Sequence, residues 1–233
     1  MSLTLYERLT RDDHRISPFC WRTRFALAHK GLTPELVGIR FTEADRLAFS
    51  GQGKVPVLVD GDKVISDSWA IACYLEDSYP DSPSLFGGHG GRELARMLNH
   101  WVDATLQPAL TGILGPALLD GLDDDEQDYF RRTREERWGR TFEDMRADRD
   151  LFMNALAPAY EPLRLRLDET PFICGGRPAY GDYLVFGVFQ WARCTDPQDM
   201  LSEMHTPLRV WRNRMLDLFD GLARSVPAFD SAA

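Results

Sequence analysis

Hydrophobic and polar residues alternate along three stretches near the start of the chain. Residues 3–9 (LTLYERL) have the alternation of a half-buried strand, and residues 35–41 (ELVGIRF) predict a second strand. Residues 54–67 (KVPVLVDGDKVISD) hold two short apolar runs around an Asp60-Gly61 turn, which is the pattern of a β-hairpin. Four strands are therefore predicted within this part of the chain.

Helical segments separate these predicted strands. Ser17 has an N-cap position with Pro18 directly after it, which is a typical helix start, and Gly31 ends that helix. Residues 43–51 predict a short helix or irregular turn, and Ser68 caps a further helix. The order strand, helix, strand, helix, strand, strand, helix predicts a compact α/β domain with a mixed sheet.

The second part of the chain has a helical pattern throughout. We predict five helices, over residues 92–119, 125–147, 155–168, 182–193 and 207–223. The segment DYLVFGVFQWA is apolar nearly all round and is expected in the core of a second domain. A stretch rich in Pro, Gly and Ser precedes these helices, as in a linker. We therefore expect domains at residues 1–81 and 92–233, joined by a linker at residues 82–91.

Composition and charge narrow the class of protein. The chain has 233 residues, of which 44% are hydrophobic and 27% charged, as in soluble globular proteins. The net charge of −9 disfavours binding to nucleic-acid phosphates. No apolar run approaches the roughly 18 residues that cross a bilayer, and the first residues lack the pattern of a signal peptide. We expect a cytoplasmic protein with neither a nucleic-acid nor a membrane partner.

Cysteine spacing gives no sign of a disulfide framework or a metal centre. The four cysteines form no CxxC pair and no cluster with metal-ligand spacing, so we expect reduced thiols and no bound metal. These residues are Cys20, Cys73, Cys174 and Cys194.

Ser17 and Cys20 stand at the start of the first predicted helix. A helix N-terminus exposes unpaired N–H groups and a partial positive charge, so it favours the ionised form of a nearby thiol. A redox enzyme of this design would have cysteine at both positions, whereas the hydroxyl of Ser17 can only donate a hydrogen bond to the thiolate of another molecule. Two interpretations stay open: Ser17 only caps the helix, or it binds the sulfur of a thiol cofactor. Cys20 is most simply a small buried residue.

Two further motifs bear on this choice. Val55-Pro56 opens a strand, and a cis bond there would leave the peptide groups of Val55 free to pair with an extended peptide. Asp67 and Ser68 precede a helix and suit a ligand that has both an ammonium and a carboxylate. Each motif alone is explained by an edge-strand proline or a helix cap. Together with Ser17, in this order, they favour a peptide-like thiol ligand.

These motifs resemble those of the glutathione transferases, over essentially the whole chain. The likeness lies in SPFCWRTRFALAHKGL, in KVPVLVDGDKVISDSWAIACYLEDSYPD and in a helical remainder containing RPAYGDYLVFGVFQW. It implies an N-terminal thioredoxin-like α/β domain that binds glutathione and an all-α C-terminal domain that contributes most of the second-substrate pocket. It also implies glutathione as co-substrate, no metal, and a homodimer.

The resemblance assigns roles to single residues. Ser17 matches the residue that hydrogen-bonds the glutathione sulfur. Val55 matches the residue whose backbone pairs with the cysteinyl part of glutathione, next to a cis-proline that matches Pro56. Asp67 and Ser68 match the pair that holds the γ-glutamyl end, although many relatives have Glu or Gln in place of Asp67.

Three more residues follow from the same likeness. Lys54 lies just before the Val-Pro pair and is expected to meet a glutathione carboxylate. Asp182 matches the aspartate at the start of the buried helix of the second domain. Ala179 replaces the Ser or Thr that usually completes its capping pair, so half of that pair is missing.

Within the family, the nearest likeness is to the β-etherase-type bacterial and fungal enzymes. The shared segments include ISPFCWRTRFALAHKG, EDMRADRD and LDLFDGLAR. Members of that group cleave β-aryl ethers of lignin-derived dimers with glutathione as the nucleophile. The segment FCWRTRFAL also resembles the zeta class, which isomerises maleylacetoacetate.

The second-substrate pocket is expected to be aromatic and apolar. Phe19, Trp101 and Trp191 are the candidates, and core packing is the alternative for each tryptophan. His14 and His100 are more simply structural than general acids. Two competing functions remain: a non-catalytic protein that binds ligands or other proteins through this fold, and a thiol reductase that uses Cys20.

Overall fold

A computed structural model describes residues 3–229 and contains one four-stranded sheet. Its strand order is β2-β1-β3-β4, with β1 at Leu3–Arg8, β2 at Glu35–Ile39, β3 at Val57–Asp60 and β4 at Lys63–Ser66. Strand β2 pairs parallel to β1, whereas β3 and β4 are antiparallel to their neighbours. The predicted mixed sheet is therefore confirmed.

The hairpin of β3 and β4 has the register that its sequence predicts. Asp60 pairs with Lys63, so the turn consists of two residues, and Gly61 adopts a positive φ of 57° that such turns require. Strand β1 departs from simple alternation at its end, because Glu7 and Arg8 are both buried. That end of the sheet points into the region where the candidate site lies.

The two helices of the α/β part begin at the predicted motifs. Helix α1 spans Pro18–His29, and Gly31, with a φ of 72°, follows its end. Helix α2 spans Ser68–Ser78, but the prediction that Ser68 caps it is wrong: the side chain of Asp67 accepts the N–H groups of Trp69 and Ala70, and Ser68 is the first helical residue. Between β2 and β3 the chain forms a 3-10 segment, Phe41–Ser50.

Seven α-helices follow in the rest of the described chain. Their bounds are α3 His89–Trp101, α4 Gln107–Asp120, α5 Asp124–Trp138, α6 Phe142–Ala147, α7 Arg149–Glu169, α8 Tyr180–Arg193 and α9 Thr206–Gly221. The fold is that of a thioredoxin-like α/β unit followed by a helical unit, as predicted. The limits of the two domains, 1–81 and 92–233, stay a prediction.

Two of the predicted helices are each divided into two helices in the structure. The predicted helix 92–119 is interrupted by a π-helical turn, Val102–Leu106, whose wider hydrogen bonding shifts the register between α3 and α4. The predicted helix 125–147 is divided at Gly139, whose φ of 65° ends α5 before α6 begins. Both breaks lie beside the candidate site, which residues of α4 and α5 line.

Helix α8 lies in the core, as its apolar sequence predicts, and joins the two units. All residues from Tyr180 to Ala192 are buried, and α8 makes the most extensive helix contact of the described chain with α1. A Cβ atom on Gly187 would lie 2.5 Å from the carbonyl oxygen of Pro18, so only glycine permits this approach. The start of α1, with Ser17, is thereby held against the helical unit.

Asp182 fixes the N-terminal end of α8. Its carboxylate accepts the N–H of Ile173 at 2.7 Å, the N–H of Ala179 at 3.1 Å and the indole Nε1–H of Trp211 at 2.9 Å. Burial raises the pKa of this carboxyl, and these hydrogen bonds oppose that shift. Ala179 has no side-chain acceptor to return, so Asp182 is the only member of the usual capping pair that contributes a side-chain hydrogen bond.

No helix among residues 3–229 has both the length and the apolar character that crossing a bilayer requires.

Candidate functional site

A cleft of about 880 Å³ lies between the α/β unit and the helical unit. Eight of the nine residues that the sequence selects for the site line it: Ser17, Phe19, Lys54, Val55, Pro56, Asp67, Ser68 and Trp191. Trp101 does not line the cleft; it ends α3 and packs half-buried against the main hydrophobic core. The structure therefore brings together residues that are up to 174 positions apart in the chain.

Ser17 caps α1 and still faces the cleft. Its Oγ accepts a hydrogen bond from the backbone N–H of Cys20 at 3.3 Å, and the residue is 8% exposed to solvent. Since the cap uses only a lone pair of the oxygen, the hydroxyl proton stays available to donate. Capping and binding of a sulfur anion are therefore compatible roles for this residue.

Cys20 faces the protein interior rather than the cleft. Its side chain is buried, and burial raises the pKa of its thiol from 9.0 to about 12, with the negative charge of Glu7 adding to that shift. The hydrogen bond with Ser17 and the charge of Arg8 oppose the shift without cancelling it. A thiol of this kind stays protonated at neutral pH, which argues against a reductase that uses Cys20.

The segment before β3 presents backbone groups to the cleft. The Val55-Pro56 peptide bond is cis, as expected. Neither the N–H nor the C=O of Val55 has a backbone partner among residues 3–229. Gln52 braces the segment, because its Nε2 donates to the Lys54 carbonyl at 2.7 Å and its Oε1 accepts the Lys54 N–H at 2.5 Å. The Lys54 side chain is exposed at the rim.

Asp67 and Ser68 form a polar corner at the start of α2. One carboxylate oxygen of Asp67 accepts the N–H groups of Trp69 and Ala70 at 2.9 and 3.0 Å, which leaves the other oxygen for a cation. The backbone of Asp67 has a φ of 79°, a rare conformation for a residue with a side chain and one that is typical of functional sites. Ser68 is buried beside it and also lines the cleft.

Tyr180 supports this corner from the helical unit, and sequence reasoning missed it. Its hydroxyl donates to the Ser68 carbonyl at 2.9 Å, and its N–H donates to the Leu85 carbonyl at 2.9 Å. Its ring lies against Trp69 and Phe86, with ring centroids 5.9 and 5.4 Å away. The tyrosine stands in the quoted segment RPAYGDYLV, but nothing in that segment indicates a partner 112 residues earlier.

The opposite end of the cleft is aromatic. Phe41, Phe130 and Trp138 come together there, with ring centroids 4.9 Å apart for the first pair and 6.2 Å apart for the second. Trp191 from α8 closes the same cleft. Of these four residues, the sequence selected only Trp191, because the other three occur in segments with no distinctive motif. An aromatic surface of this kind suits a flat apolar molecule.

A buried carboxylate positions Phe41. Glu126, fully buried on α5, accepts the backbone N–H of Phe41 at 2.6 Å and the guanidinium of Arg40 at 2.7 Å. Asp123 also accepts from Arg40. These bonds tie the start of the 3-10 segment to α5, so the aromatic end of the cleft is held by both units.

The two histidines considered as general acids lie elsewhere. Nδ1 of His14 hydrogen-bonds the Cys194 carbonyl at 2.9 Å, and its ring packs against Phe229. His100 is exposed and does not line the cleft. Both histidines are therefore structural or solvent-facing in this geometry, as the simpler interpretation had it.

Comparison with known proteins identifies the family. The family described as "Glutathione S-transferase, C-terminal domain" matches residues 94–215, and "Glutathione S-transferase, N-terminal domain" matches residues 16–78. "Glutathione S-transferase Z2" of Arabidopsis thaliana is 34% identical over 111 residues, which cover 46% of this chain and 50% of that protein. "Maleylacetoacetate isomerase" of Dictyostelium discoideum is 29% identical over 126 residues, 48% of this chain and 55% of that protein.

The fold has a close counterpart among solved structures. A glutathione S-transferase of Ceriporiopsis subvermispora, crystallised in complex with glutathione, superposes with a TM-score of 0.78 at 24% identity and covers 97% of this chain and 99% of that one. In sequence, the chain spans about half of the length of the curated relatives that it matches. The two family matches nevertheless cover most of its residues, from the first motif to α9. The chain belongs to the glutathione S-transferase family.

Proposed function

We propose that the protein is a glutathione transferase in which Ser17 stabilises the glutathione thiolate. The observation that carries this proposal is the position of Ser17, which lines the cleft at the N-terminus of α1 and whose hydroxyl proton is not used by the cap. The partial positive charge of the helix end acts on the same point. The shape of the cleft supports a thiol peptide at one end and an aromatic molecule at the other.

In this proposal, glutathione binds along the polar wall of the cleft, which Lys54, Val55, Asp67 and Ser68 form. The free oxygen of Asp67 meets its ammonium, and the hydroxyl and N–H of Ser68 meet its γ-glutamyl carboxylate. The peptide groups of Val55 pair with the cysteinyl part, as a short β-addition. Lys54, exposed at the rim, meets the glycyl carboxylate. Pro56 shapes the segment that presents these groups.

The reaction begins with loss of the glutathione thiol proton to solvent. A free thiol of this kind has a pKa of about 8.5, and lowering it by about 2 units takes about 2.7 kcal/mol of differential stabilisation. One hydrogen bond to the anion, worth about 1.5–3 kcal/mol, and the helix terminus supply that amount. The thiolate then attacks an electrophilic carbon: a C–S bond forms, and the leaving group departs with the electron pair of its broken bond.

The second substrate is a flat, largely apolar molecule held by the aromatic end of the cleft. Phe19 and Trp191 take part in this pocket, whereas Trp101 takes no part because it packs outside the cleft. A β-aryl ether fits this description. Attack at its ether carbon forms the C–S bond, breaks the C–O bond, and releases a phenolate that takes a proton from water.

Calorimetry with glutathione is the first test. We expect wild-type binding in the micromolar-to-millimolar range, abolished in Asp67→Ala/Ser68→Ala. Asp62→Ala is the matched control, since this exposed aspartate lies outside the cleft and makes no described side-chain contact. Absence of binding by the folded wild type would overturn the proposal and favour a non-catalytic binding role for the fold.

A second candidate function is a glutathione-dependent isomerase. The likeness to a maleylacetoacetate isomerase favours it. In such a reaction the thiolate adds to a conjugated C=C bond, rotation about the resulting single bond follows, and elimination restores the double bond and the thiolate. The two activities differ in stoichiometry, because a transferase consumes one glutathione per turnover and an isomerase consumes none. Thiol titration during turnover of a chlorodinitrobenzene and of a cis-enedione tests each directly.

The proposed assembly is a homodimer that uses α3. Leu94 and Met97 lie one turn apart on this helix and are 66% and 63% exposed, which is unusual for such large apolar side chains. Light scattering of Leu94→Glu/Met97→Glu tests the proposal, with Leu151→Glu, a similarly exposed leucine of α7, as the control. A dimer that survives the α3 change would place the contact elsewhere.

A further inference from the structure

Two arginines reach the aromatic end of the cleft without an obvious function. Arg8, at the end of β1, is only 8% exposed and lines the cleft. Its Nη1 donates to the Ile39 carbonyl at 2.9 Å, and its guanidinium lies 4.5 Å from the centre of the Phe41 ring. This anchoring fixes where the cation stands and leaves its other N–H groups unassigned.

Arg134, on α5, approaches the same ring from the helical unit. Its guanidinium lies 5.4 Å from the centre of Phe41 and 4.9 Å from the centre of Phe130. One of its nitrogens donates to the Thr133 hydroxyl at 3.0 Å. Arg8 and Arg134 therefore stand on the two units of the fold and share one aromatic neighbour.

Arg8 and Arg134 have no carboxylate in direct contact among residues 3–229. Neither arginine takes part in an ion pair there, although most arginines in this part of the chain do. The charges of two acids, Glu126 and Glu43, act on Arg8 from a distance. Both oxygens of Glu126 are already occupied, one by Arg40 and the other by the Phe41 N–H, and Glu43 accepts from Arg46. Two cations are thus left facing a cleft in a chain of net charge −9.

The electrostatic cost of this arrangement is visible in both groups. Burial lowers the pKa of the Arg8 guanidinium. Burial also lowers the pKa of Arg134, and repulsion from Arg137 and Arg8 lowers it further. Arg137 lines the cleft as well, at its exposed rim. A buried charge without an ion-pair partner is destabilising, so an anion that enters from the cleft stabilises both the buried Arg8 and the partly buried Arg134.

We propose that the second substrate is an aromatic carboxylate whose anionic group binds between Arg8 and Arg134. This rests on the proposed transferase function and adds the charge of the electrophile to it. The planar guanidinium forks match a carboxylate in two-bond geometry, and Phe41 and Phe130 hold the adjoining ring. In the proposed function, Lys54 and Ser68 serve the carboxylates of glutathione, so the second anion site is formed by a different set of cleft residues.

The decisive experiment compares an anionic electrophile with its neutral ester. Chlorodinitrobenzoate and its methyl ester undergo the same reaction, in which the thiolate attacks the carbon that bears chlorine and chloride departs. Their different intrinsic reactivities cancel when the acid-to-ester ratio of a variant is compared with that of the wild type. We expect the acid-to-ester ratio of kcat/KM to fall at least tenfold in Arg134→Gln. Arg132→Gln is the matched control. It removes the same charge from the same helix, but Arg132 is exposed and lies outside the cleft. Its ratio is expected to match the wild type.

A binding measurement removes the dependence on turnover. Naphthoate, which does not react with thiols, is titrated into the glutathione-loaded protein and followed by the fluorescence of Trp138 and Trp191, which line the cleft. We expect at least tenfold weaker binding in Arg8→Met, partial rescue in Arg8→Lys, and no binding of neutral naphthalene-carboxamide at matched concentrations. Circular dichroism establishes that each variant is folded.

The possible outcomes distinguish a failure of the carboxylate site from a failure of the transferase function on which it rests. If the wild type turns over neither electrophile and binds no glutathione, the transferase proposal fails. If the wild type turns over the ester but the acid-to-ester ratio is unchanged in Arg8→Met and Arg134→Gln, the carboxylate site is wrong while the transferase proposal stands. A rise of the glutathione thiol pKa in Arg8→Met with no change in that ratio would also overturn it, since Arg8 would then act on the thiolate.

Discussion

The hydroxyl of Tyr180 donates a 2.9 Å hydrogen bond to the backbone carbonyl of Ser68, across the boundary between the helical unit and the sheet unit. Both groups are buried. Ser68 is the first residue of α2 and part of the corner where glutathione is proposed to bind. Because the N-terminus of α8 is in turn held by Asp182, the helical unit sets the position of a binding residue that belongs to the other unit.

Tyr180→Phe is therefore expected to weaken glutathione binding. The change removes one buried hydrogen bond, worth about 1 kcal/mol, that holds the start of α2 against the helical unit. We expect a several-fold rise in the Kd of glutathione by calorimetry, with kcat for the electrophile less affected. Tyr183→Phe is the control: it removes a hydroxyl from the same helix, but one that pairs with His29 at 2.6 Å, outside the cleft. Equal effects of both variants on glutathione affinity would contradict this role for Tyr180.

Ser17→Ala is expected to raise the apparent pKa of bound glutathione by about 1–2 units, because a hydrogen bond to the thiolate is lost. Thiolate formation, followed by ultraviolet absorbance against pH, then shifts to higher pH, and turnover at neutral pH falls roughly in proportion to the thiolate fraction. Loss of the cap lowers the free energy of unfolding by about 1 kcal/mol in addition. At sufficiently high pH the variant recovers most of the wild-type rate.

Thr23→Val provides the comparison for Ser17→Ala. Thr23 is buried on the same helix, and its hydroxyl donates to the Phe19 carbonyl at 3.2 Å, so the variant also deletes a hydroxyl of α1. It is expected to change stability and leave the thiolate titration unchanged. A Ser17→Ala enzyme with an unaltered titration would reduce Ser17 to a helix cap.

The parts of this site that the sequence predicts are those with a local signal. Ser17 is marked by the proline after it, the hairpin by Asp60-Gly61, and the end of α1 by Gly31, and in each case a neighbour in sequence is the physical cause. Phe19, Trp101 and Trp191 are candidates because the second-substrate pocket is expected to be aromatic and apolar. Trp101 nevertheless lies outside the cleft, since aromatic character predicts burial but not which cavity a side chain faces.

The parts that escaped prediction depend on contacts between distant segments. Arg8 lies in a strand whose alternation suggests an exposed position, yet the Ile39 carbonyl and the Phe41 ring keep it buried. Arg134 stands in a charge-rich run that predicts a solvated helix face. The π-helical turn Val102–Leu106 contains no glycine or proline that would mark a break. A single sequence has no local feature that distinguishes these residues from ordinary ones.

Cys20→Ser is expected to preserve activity and to change how stability depends on pH. Burial, followed by the charge of Glu7, raises the pKa of the Cys20 thiol from 9.0 to about 12. Below pH 9 both the folded and the unfolded thiol keep the proton. Above it the unfolded thiol ionises first, so the folded state binds more protons and its stability falls as pH rises, by up to about 1.4 kcal/mol per pH unit from this group.

The serine variant lacks this titration, so the stability difference between wild type and Cys20→Ser is expected to narrow steadily above pH 9. Denaturant unfolding at several alkaline pH values measures it, and taking the difference removes the contribution of the buried tyrosines. Mass spectrometry adds a direct check: iodoacetamide leaves Cys20 unlabelled in the native protein and labels it after denaturation. Rapid native labelling with loss of activity would revive the reductase interpretation.

Glu126→Gln is expected to loosen the aromatic end of the cleft. The variant keeps the shape of the side chain and one acceptor for the Phe41 N–H, but it leaves Arg40 with Asp123 alone. Removing one partner of a buried ion pair costs about 3–5 kcal/mol when the other charge stays buried, and Arg40 is partly exposed, so we expect about 1–3 kcal/mol. Denaturant unfolding measures this loss.

Asp123→Asn is the control for Glu126→Gln, because it removes a carboxylate from the same arginine at a more exposed position, where about 0–1 kcal/mol is expected. The kinetic signature separates positioning from stability. Since Phe41 lines the end of the cleft assigned to the electrophile, Glu126→Gln raises the KM of the second substrate several-fold while the Kd of glutathione stays at its wild-type value. A parallel loss of affinity for both substrates would instead mean that Glu126 supports the whole cleft rather than its aromatic end.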